Sequence, residues 1–169
     1  VKTPNTQSDI TTVAKDTEVK KKSLPYQICN VTQDNIMQLR AINIKTLPVR
    51  YSDTFYRELN SKYDQDYLKL VFWGGFAVAA CCARVEPQEN GDNKIYIMTI
   101  NVLPTYRRRG IASELLKYIL ETSAKDKTIK EAYLHVQTSN LDAKEFYLSK
   151  GFEEEWIVEN YYKGIEPTS

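Results

Sequence analysis

At 169 residues the chain is long enough to build one domain with a sizeable core and needs no disulfide or metal staple. Hydrophobic residues at 42%, charged residues at 27% and a formal net charge of +1 exclude a nucleic-acid binder that works through a large basic face. No apolar run approaches the roughly 20 residues that span a bilayer, and residues 1–22 lack the apolar core of a secretory signal. Three cysteines (Cys29 and the adjacent Cys81 and Cys82) and one histidine do not make a metal-ligand set. Buried thiols in a reducing compartment, the cytosol, are the expectation, with no metal.

Residues 1–22 are polar, carry no periodicity and end in Lys20-Lys21-Lys22. They read as a disordered tail ahead of one domain over residues 23–169, the lysines solvated or against an acidic partner such as ribosomal RNA. Leu24–Val31 reads as a first strand. Thr32 or Asp34 then caps a helix carrying Ile36, Leu39, Ile42 and Asn43, which stops before Leu47-Pro48-Val49. A second short helix covers Asp53–Asn60, with Phe55, Tyr56 and Leu59 inward. Asp66–Trp73 and Phe76–Val85 are strands joined at Gly74-Gly75, a two-residue hairpin signal, and Glu86–Asn93 is a polar turn.

The stretch around which the chain is organised follows. Lys94–Val102 is dense in Ile, Tyr and Val and predicts a strand. Pro104 and Arg107-Arg108-Arg109-Gly110 form a basic turn. From Ile111 the period becomes helical, with Leu115, Leu116, Ile119 and Leu120 in one apolar stripe. Further on, Ala132–Gln137 reads as a fifth strand and Asn140–Lys150 as a helix ending at Gly151. Phe152–Val158 reads as a sixth strand, with Tyr161-Tyr162 in a loop. Two helices, a β meander and then β-α-β-α-β make an α+β sheet of mixed direction.

A strand entering a helix through a glycine turn aims unpaired N–H groups and the positive end of a helix dipole at one point. Arginines in that turn favour phosphate further. Gly110 permits close backbone approach and Ala112 keeps the first helical turn small. Many proteins carry such a turn without any pyrophosphate ligand, so the turn alone leaves both readings open.

The spacing Arg107-x-x-Gly110-x-Ala112 resembles the acetyl-CoA signature of the GNAT superfamily of N-acetyltransferases. Further strings are similar to its branch of protein N-terminal acetyltransferases of the NatE catalytic-subunit type: LPVRY from Leu47, YIMT from Tyr96, YRRRGIA from Tyr106, YLHVQTSN from Tyr133, EFYLSKGFE from Glu145 and NYYKGIEP from Asn160. The resemblance covers the chain from Leu24 onward. It implies a mixed, mostly antiparallel sheet of six to seven strands flanked by about four helices. Family members close the sheet with a seventh strand after the I-E-P segment, whereas this chain reaches Ser169 a few residues past Pro167. Exposed sheet edges and a covering partner or weakened stability are therefore expected.

The resemblance implies acetyl-CoA held by Ile100, Asn101, Val102, Tyr106, Arg107, Arg108, Arg109, Gly110, Ile111, Ala112, Ser113, Asn140, Ala143 and Tyr147. Backbone amides near Ile100–Val102 would polarise the acetyl carbonyl where the strand bulges and splays from strand five. Tyr96 and His135 would deprotonate the substrate amine through a water, and Tyr147 would protonate the departing thiolate. An α-ammonium of pKa about 8 cannot attack a thioester until its proton leaves, and a neutral imidazole suits that task near pH 7. From the residues alone, His135 alternates along strand five on the face of Tyr133 and Gln137, where a lone histidine is more often a half-buried structural one; it is the resemblance that implies otherwise.

The same resemblance places Leu47, Pro48, Val49, Tyr51, Met98, His135, Tyr161, Tyr162 and Ile165 around the peptide. Leu47 replaces a frequent Phe, which widens the pocket. The implied function is acetylation of the α-amino group of proteins beginning with Met, Met-Leu among them, on nascent chains beside the NatA complex at the ribosome. The domain itself would be monomeric, with no membrane contact. A small-amine, polyamine or lysine acetyltransferase and a non-catalytic subunit of an acetyltransferase complex are the alternatives.

Overall fold

The computed structural model describes residues 25–155. Its sheet runs β1 (Tyr26–Asn30), β2 (Leu68–Trp73), β3 (Phe76–Pro87), β4 (Asn93–Val102) and β5 (Ile129–Tyr133), neighbours in that order. The first four are antiparallel and β5 is parallel to β4. Helices α1 (Ile36–Thr46) and α2 (Asp53–Lys62) precede β2, α3 (Ile111–Ser123) crosses over from β4 to β5, and α4 (Leu141–Ser149) follows β5.

The centre of the sheet explains its own composition. β3 reads FAVAACCARVEP, and residues Val78–Ala83 are buried. Small side chains at Ala79, Ala80, Cys81, Cys82 and Ala83 let a helix lie close on either face. On one face Leu39, Ile42, Tyr56 and Leu59 of α1 and α2 pack with Leu68, Leu70, Ala80 and Cys82. On the other, Ile111, Leu115, Leu116 and Ile119 of α3 pack with Val71, Cys81, Ile95 and Ile97, joined by Phe146, Tyr147 and Phe152 from α4 and its end. Burial pushes the Cys81 thiol up to about 12 and the Cys82 thiol higher still, so both stay protonated and act as small apolar residues.

Gly74 and Gly75 turn the β2–β3 hairpin at φ 57° and 84°, the left-handed pair that a two-residue turn requires. The decisive irregularity lies in β4. Cys82 pairs with Thr99 and Ala83 with Ile97, so Met98 is an extra residue, a β-bulge. The β4–β5 ladder ends at Tyr96 opposite Tyr133. Beyond that register β4 continues to Val102 while β5 has stopped, and the sheet opens.

Five sequence expectations change. Among the described residues the sheet has five strands rather than six to seven, within an α+β fold with four helices. The expected sixth strand at Phe152–Val158 is absent over residues 152–155, and its remainder lies outside the described residues. Phe152 is used instead to close α4: Gly151 at φ 89° donates its N–H to the Leu148 carbonyl, Phe152 N–H reaches the Tyr147 carbonyl, and the two rings pack 5.6 Å apart. Strand five sits at Ile129–Tyr133, not Ala132–Gln137. Lys130 and Glu131 precede the expected strand, but β5 is the outer strand of the sheet among the described residues, where charged side chains are tolerated, and Glu131 pairs with Lys94 across the ladder at 2.8 Å. The α1 cap is Asn35 rather than Thr32 or Asp34, and its side chain accepts from Thr32 N–H instead of from the helix. Strand β2 also starts two residues late, because Asp64 caps a short 3-10 turn at Gln65–Tyr67.

Asn43, counted in the apolar stripe of α1, is buried for a polar reason. Its amide donates to the Tyr56 hydroxyl at 3.2 Å and its carbonyl accepts from Asn101 Nδ2 at 2.9 Å, tying α1 to α2 and β4. Asn43→Leu strands both partners and is expected to lower stability by about 2–3 kcal/mol in urea unfolding; an unchanged midpoint would show that the network contributes little.

Candidate active site

The basic turn is built by its own backbone. Pro104 opens a short 3-10 turn over Pro104–Tyr106, and Arg107 Nε donates to the Val102 carbonyl at 2.9 Å, pinning the turn to the end of β4. Arg108 takes φ 60°, a left-handed value uncommon outside glycine, and Gly110 follows at φ 81° as the N-cap of α3. No side chain caps that helix, so its first-turn N–H groups remain available to a ligand. A Cβ built on Gly110 meets nothing within 4 Å, so glycine is required there by conformation and leaves open space above the helix mouth. The Arg109 guanidinium lies 5.3 Å from the Trp73 ring centre, and Trp73 packs against Tyr106 and Tyr26.

Around the opening of the sheet, a second cluster forms on the α1–α2 face. Tyr96 stacks on Tyr133 with ring centres 4.9 Å apart, and His135 meets both rings edge-on. His135 Nδ1 lies 3.3 Å from Tyr96 Oη. His135 therefore does not alternate along a strand as its sequence spacing suggests; it sits two residues past β5, where the chain is leaving the sheet. Burial lowers its pKa below the usual histidine value, and the Glu86 carboxylate partly counters this, so the imidazole is neutral at pH 7. The Arg84 guanidinium covers the Tyr96 ring at 4.9 Å.

Residues 36–152 match the acetyltransferase (GNAT) family, a span from the first residue of α1 to the close of α4. The chain belongs to the GNAT acetyltransferase family. It is 40% identical over 141 residues to N-alpha-acetyltransferase 50 of Danio rerio, covering 83% of this chain and 82% of that protein. It is 38% identical over 141 residues to the probable N-acetyltransferase san of Drosophila melanogaster, covering 83% and 75%. A solved structure of Arabidopsis thaliana Naa50 in complex with the bisubstrate analogue CoA-Ac-MVNAL superposes with a TM-score of 0.75 at 38% identity, covering 85% of this chain and 93% of that one.

Acetyl-CoA is the family's acetyl donor, and the residues present fit its diphosphate: an uncapped helix mouth, open space at Gly110 and three adjacent arginines. Other expected coenzyme residues divide by what their side chains already do. Ile111 and Val102 are buried, and the Asn101 side chain is committed to Asn43, leaving only backbone to a ligand. Ile100 is half-buried against the α3 face, and Ala112 and Ser113 are half-exposed on the first turn. Asn140 caps α4 by accepting from Ala143 N–H at 3.2 Å.

Tyr147 packs between Phe146 and Phe152 on the α3 face, the side of the sheet opposite Tyr96. Burial pushes its phenol up to about 12, so the hydroxyl stays protonated at neutral pH and can offer a hydrogen bond. On the peptide side, Leu47 closes α1, Leu47 and Val49 are half-buried and Pro48 is exposed. Tyr51 stacks on Phe55 at 4.2 Å, and Met98, the bulge residue, has its sulfur 3.7 Å from that of Cys82. Tyr161, Tyr162 and Ile165 lie outside the described residues. Among the described residues no cluster of metal-ligating side chains occurs, and no helix is long and apolar enough to cross a membrane.

Sequence reasoning missed Arg84, Glu86 and Tyr133 around Tyr96 and His135, and Trp73 beside the turn. The first two carried a signal. Counting back from the Gln88–Asp92 turn places Arg84 opposite Tyr96 and Glu86 opposite Lys94, with Arg84 and Glu86 on one face. Gly110→Trp fills the helix mouth and should abolish acetyl-CoA binding in calorimetry, a loss of at least about 100-fold in affinity, while circular dichroism stays native; retained affinity would remove the turn from coenzyme binding.

Proposed function

We propose that the chain is a protein N-alpha-acetyltransferase of the N-alpha-acetyltransferase 50 type, acting on N-termini that begin with Met, Met-Leu among them. The observation that carries this reading is the Tyr96–His135 contact at 3.3 Å, placed where β4 and β5 part. The likeness to a relative solved with a CoA analogue whose peptide part reads MVNAL supports Met as the first residue.

Acetyl-CoA supplies an acetyl group activated as a thioester. Gly110, the first turn of α3 and Arg107–Arg109 hold its diphosphate, and the β4 backbone beyond the Met98 bulge offers N–H groups to the acetyl oxygen. The neutral imidazole of His135, oriented by Tyr96, takes the proton of the substrate α-ammonium through a water. Tyr96 acts as the orienting partner, because a phenol of pKa about 10 is a poor base near pH 7. Tyr147 donates to the leaving sulfur from the α3 face. The first methionine is received by Leu47, Val49, Tyr51 and Met98.

A polyamine acetylase would want carboxylates for its second cation. The carboxylate beside this site, Glu86, has both oxygens engaged, one by Tyr133 and one by Arg84, and this favours the α-amine reading. The substrates are nascent chains in the cytoplasm, and the partner is the NatA complex at the ribosome.

His135→Ala should lower kcat on a Met-Leu peptide by about 100-fold with KM changed little, because a proton acceptor acts on the reaction rather than on docking. Steady-state kinetics on the variant with acetyl-CoA affinity intact provide the check, and an unaltered kcat would exclude His135 as the base.

A further inference from the structure

The aromatic pair at the base stands on a charged foundation that the reaction as described does not use. Glu86 lies on β3 two residues beyond Arg84, with its carboxylate between Arg84 and Tyr133. Its Oε2 accepts the Tyr133 hydroxyl proton in a short hydrogen bond, and its Oε1 accepts from Arg84 Nε at 2.8 Å, with Arg84 Nη2 also on Oε1 at 2.6 Å. Each partner touches the base pair in turn. Tyr133 stacks on Tyr96 and meets His135 edge-on, and Arg84 lies over the Tyr96 ring. One carboxylate therefore holds two of the groups that pack on the ring of Tyr96.

We propose that Glu86 is a positioning residue for the Tyr96–His135 pair: it locks the aromatic stack through Tyr133 and Arg84, and its charge steadies His135 once the imidazole has taken the substrate's proton. The inference rests on His135 being the proton acceptor. The proton moves from the α-ammonium to the imidazole, which becomes a cation in a half-buried place, and the carboxylate is the anion built into that place.

The other groups described near His135 do not supply this charge. Tyr96 on β4 and Tyr133 on β5 offer hydroxyls rather than carboxylates, and Arg84 on β3 is a cation whose charge opposes a second one. Tyr63 at the end of α2 bonds to Arg84, and Lys94 and Glu131 neutralise each other farther along the ladder. Glu86 is ionised at neutral pH. Burial pushes its carboxyl up, but the Tyr133 hydroxyl and the Arg84 guanidinium outweigh that and bring it below its ordinary value. Histidine and carboxylate also feel each other directly, His135 helping to lower Glu86 and Glu86 raising His135.

The chain contains one histidine, so its imidazole resonances titrate in the intact, untagged protein without overlap. In Glu86→Gln, which keeps the shape and removes the charge, the His135 pKa should fall by about half a unit or more. The kcat on a Met-Leu peptide should fall about 3- to 10-fold with KM nearly unchanged. Glu86→Asp, which restores the charge, should recover most of the titration shift. Tyr133→Phe, which keeps the charge and loses the donor, should lower kcat while leaving the His135 titration near wild type.

An unmoved His135 titration in Glu86→Gln, or a wild-type kcat in that variant, would overturn the proposal. If His135→Ala turns over normally, the reading of His135 as base fails, whatever Glu86 does. If His135→Ala is inactive and Glu86→Gln matches wild type in both readouts, Glu86 alone is removed.

Discussion

After Tyr96 faces Tyr133 in parallel register, β4 and β5 stop exchanging hydrogen bonds, and two residues later Met98 bulges out of β4. A sheet that opens in its interior leaves backbone donors and acceptors without ladder partners, which is costly unless water or a ligand meets them. Here the opening lies between two faces that are otherwise well filled, α1 and α2 on one and α3 and α4 on the other. The gap joins them. The Arg107–Gly110 turn leads into α3 on one face of the sheet, and the Tyr96–His135 pair stands where β4 and β5 part.

The electrostatics are local. A net charge of +1 says nothing of the three arginines gathered at one helix mouth. Two of them are restrained before any ligand arrives, Arg107 on the Val102 carbonyl and Arg109 over Trp73. Restraint of this kind reduces the ordering cost of binding a phosphate. Arg108 contributes differently, by accepting a left-handed backbone so that the following residues can turn into α3. The Tyr96–His135 contact is likewise held in a packed surround, with Arg84 over the Tyr96 ring and Glu86 bonded to both Arg84 and Tyr133.

Much of this architecture was legible in the residues. Gly74-Gly75 marks a hairpin because only glycine adopts two successive positive φ values at no cost, and the change of period at Ile111 marks a helix because its apolar side chains recur on one side. The strings around Arg107, Tyr96 and His135 carried the family. What escaped was long-range register. Nothing local to Met98 announces a bulge, since the extra residue exists only relative to Cys82 and Ala83 on the neighbouring strand. Lys130 and Glu131 hid an edge strand, and that shifted His135 from a strand face to a loop. Asn43 looked like one more position of an apolar stripe until Asn101, distant in sequence, supplied its donor. Arg84 and Glu86 were the closest to being readable, because the turn at Gln88–Asp92 sets their pairing.

The account stands on the gap between β4 and β5 being the place where the acetyl group meets the amine. A crystal structure of the chain with a CoA–peptide bisubstrate conjugate beginning with Met tests this directly. The account predicts the diphosphate against Gly110 and the first turn of α3, the acetyl carbon level with the β4 backbone just past Met98, and the peptide nitrogen on the side of Tyr96 and His135. An acetyl group bound away from the gap, or a peptide on the α3 face, would contradict it.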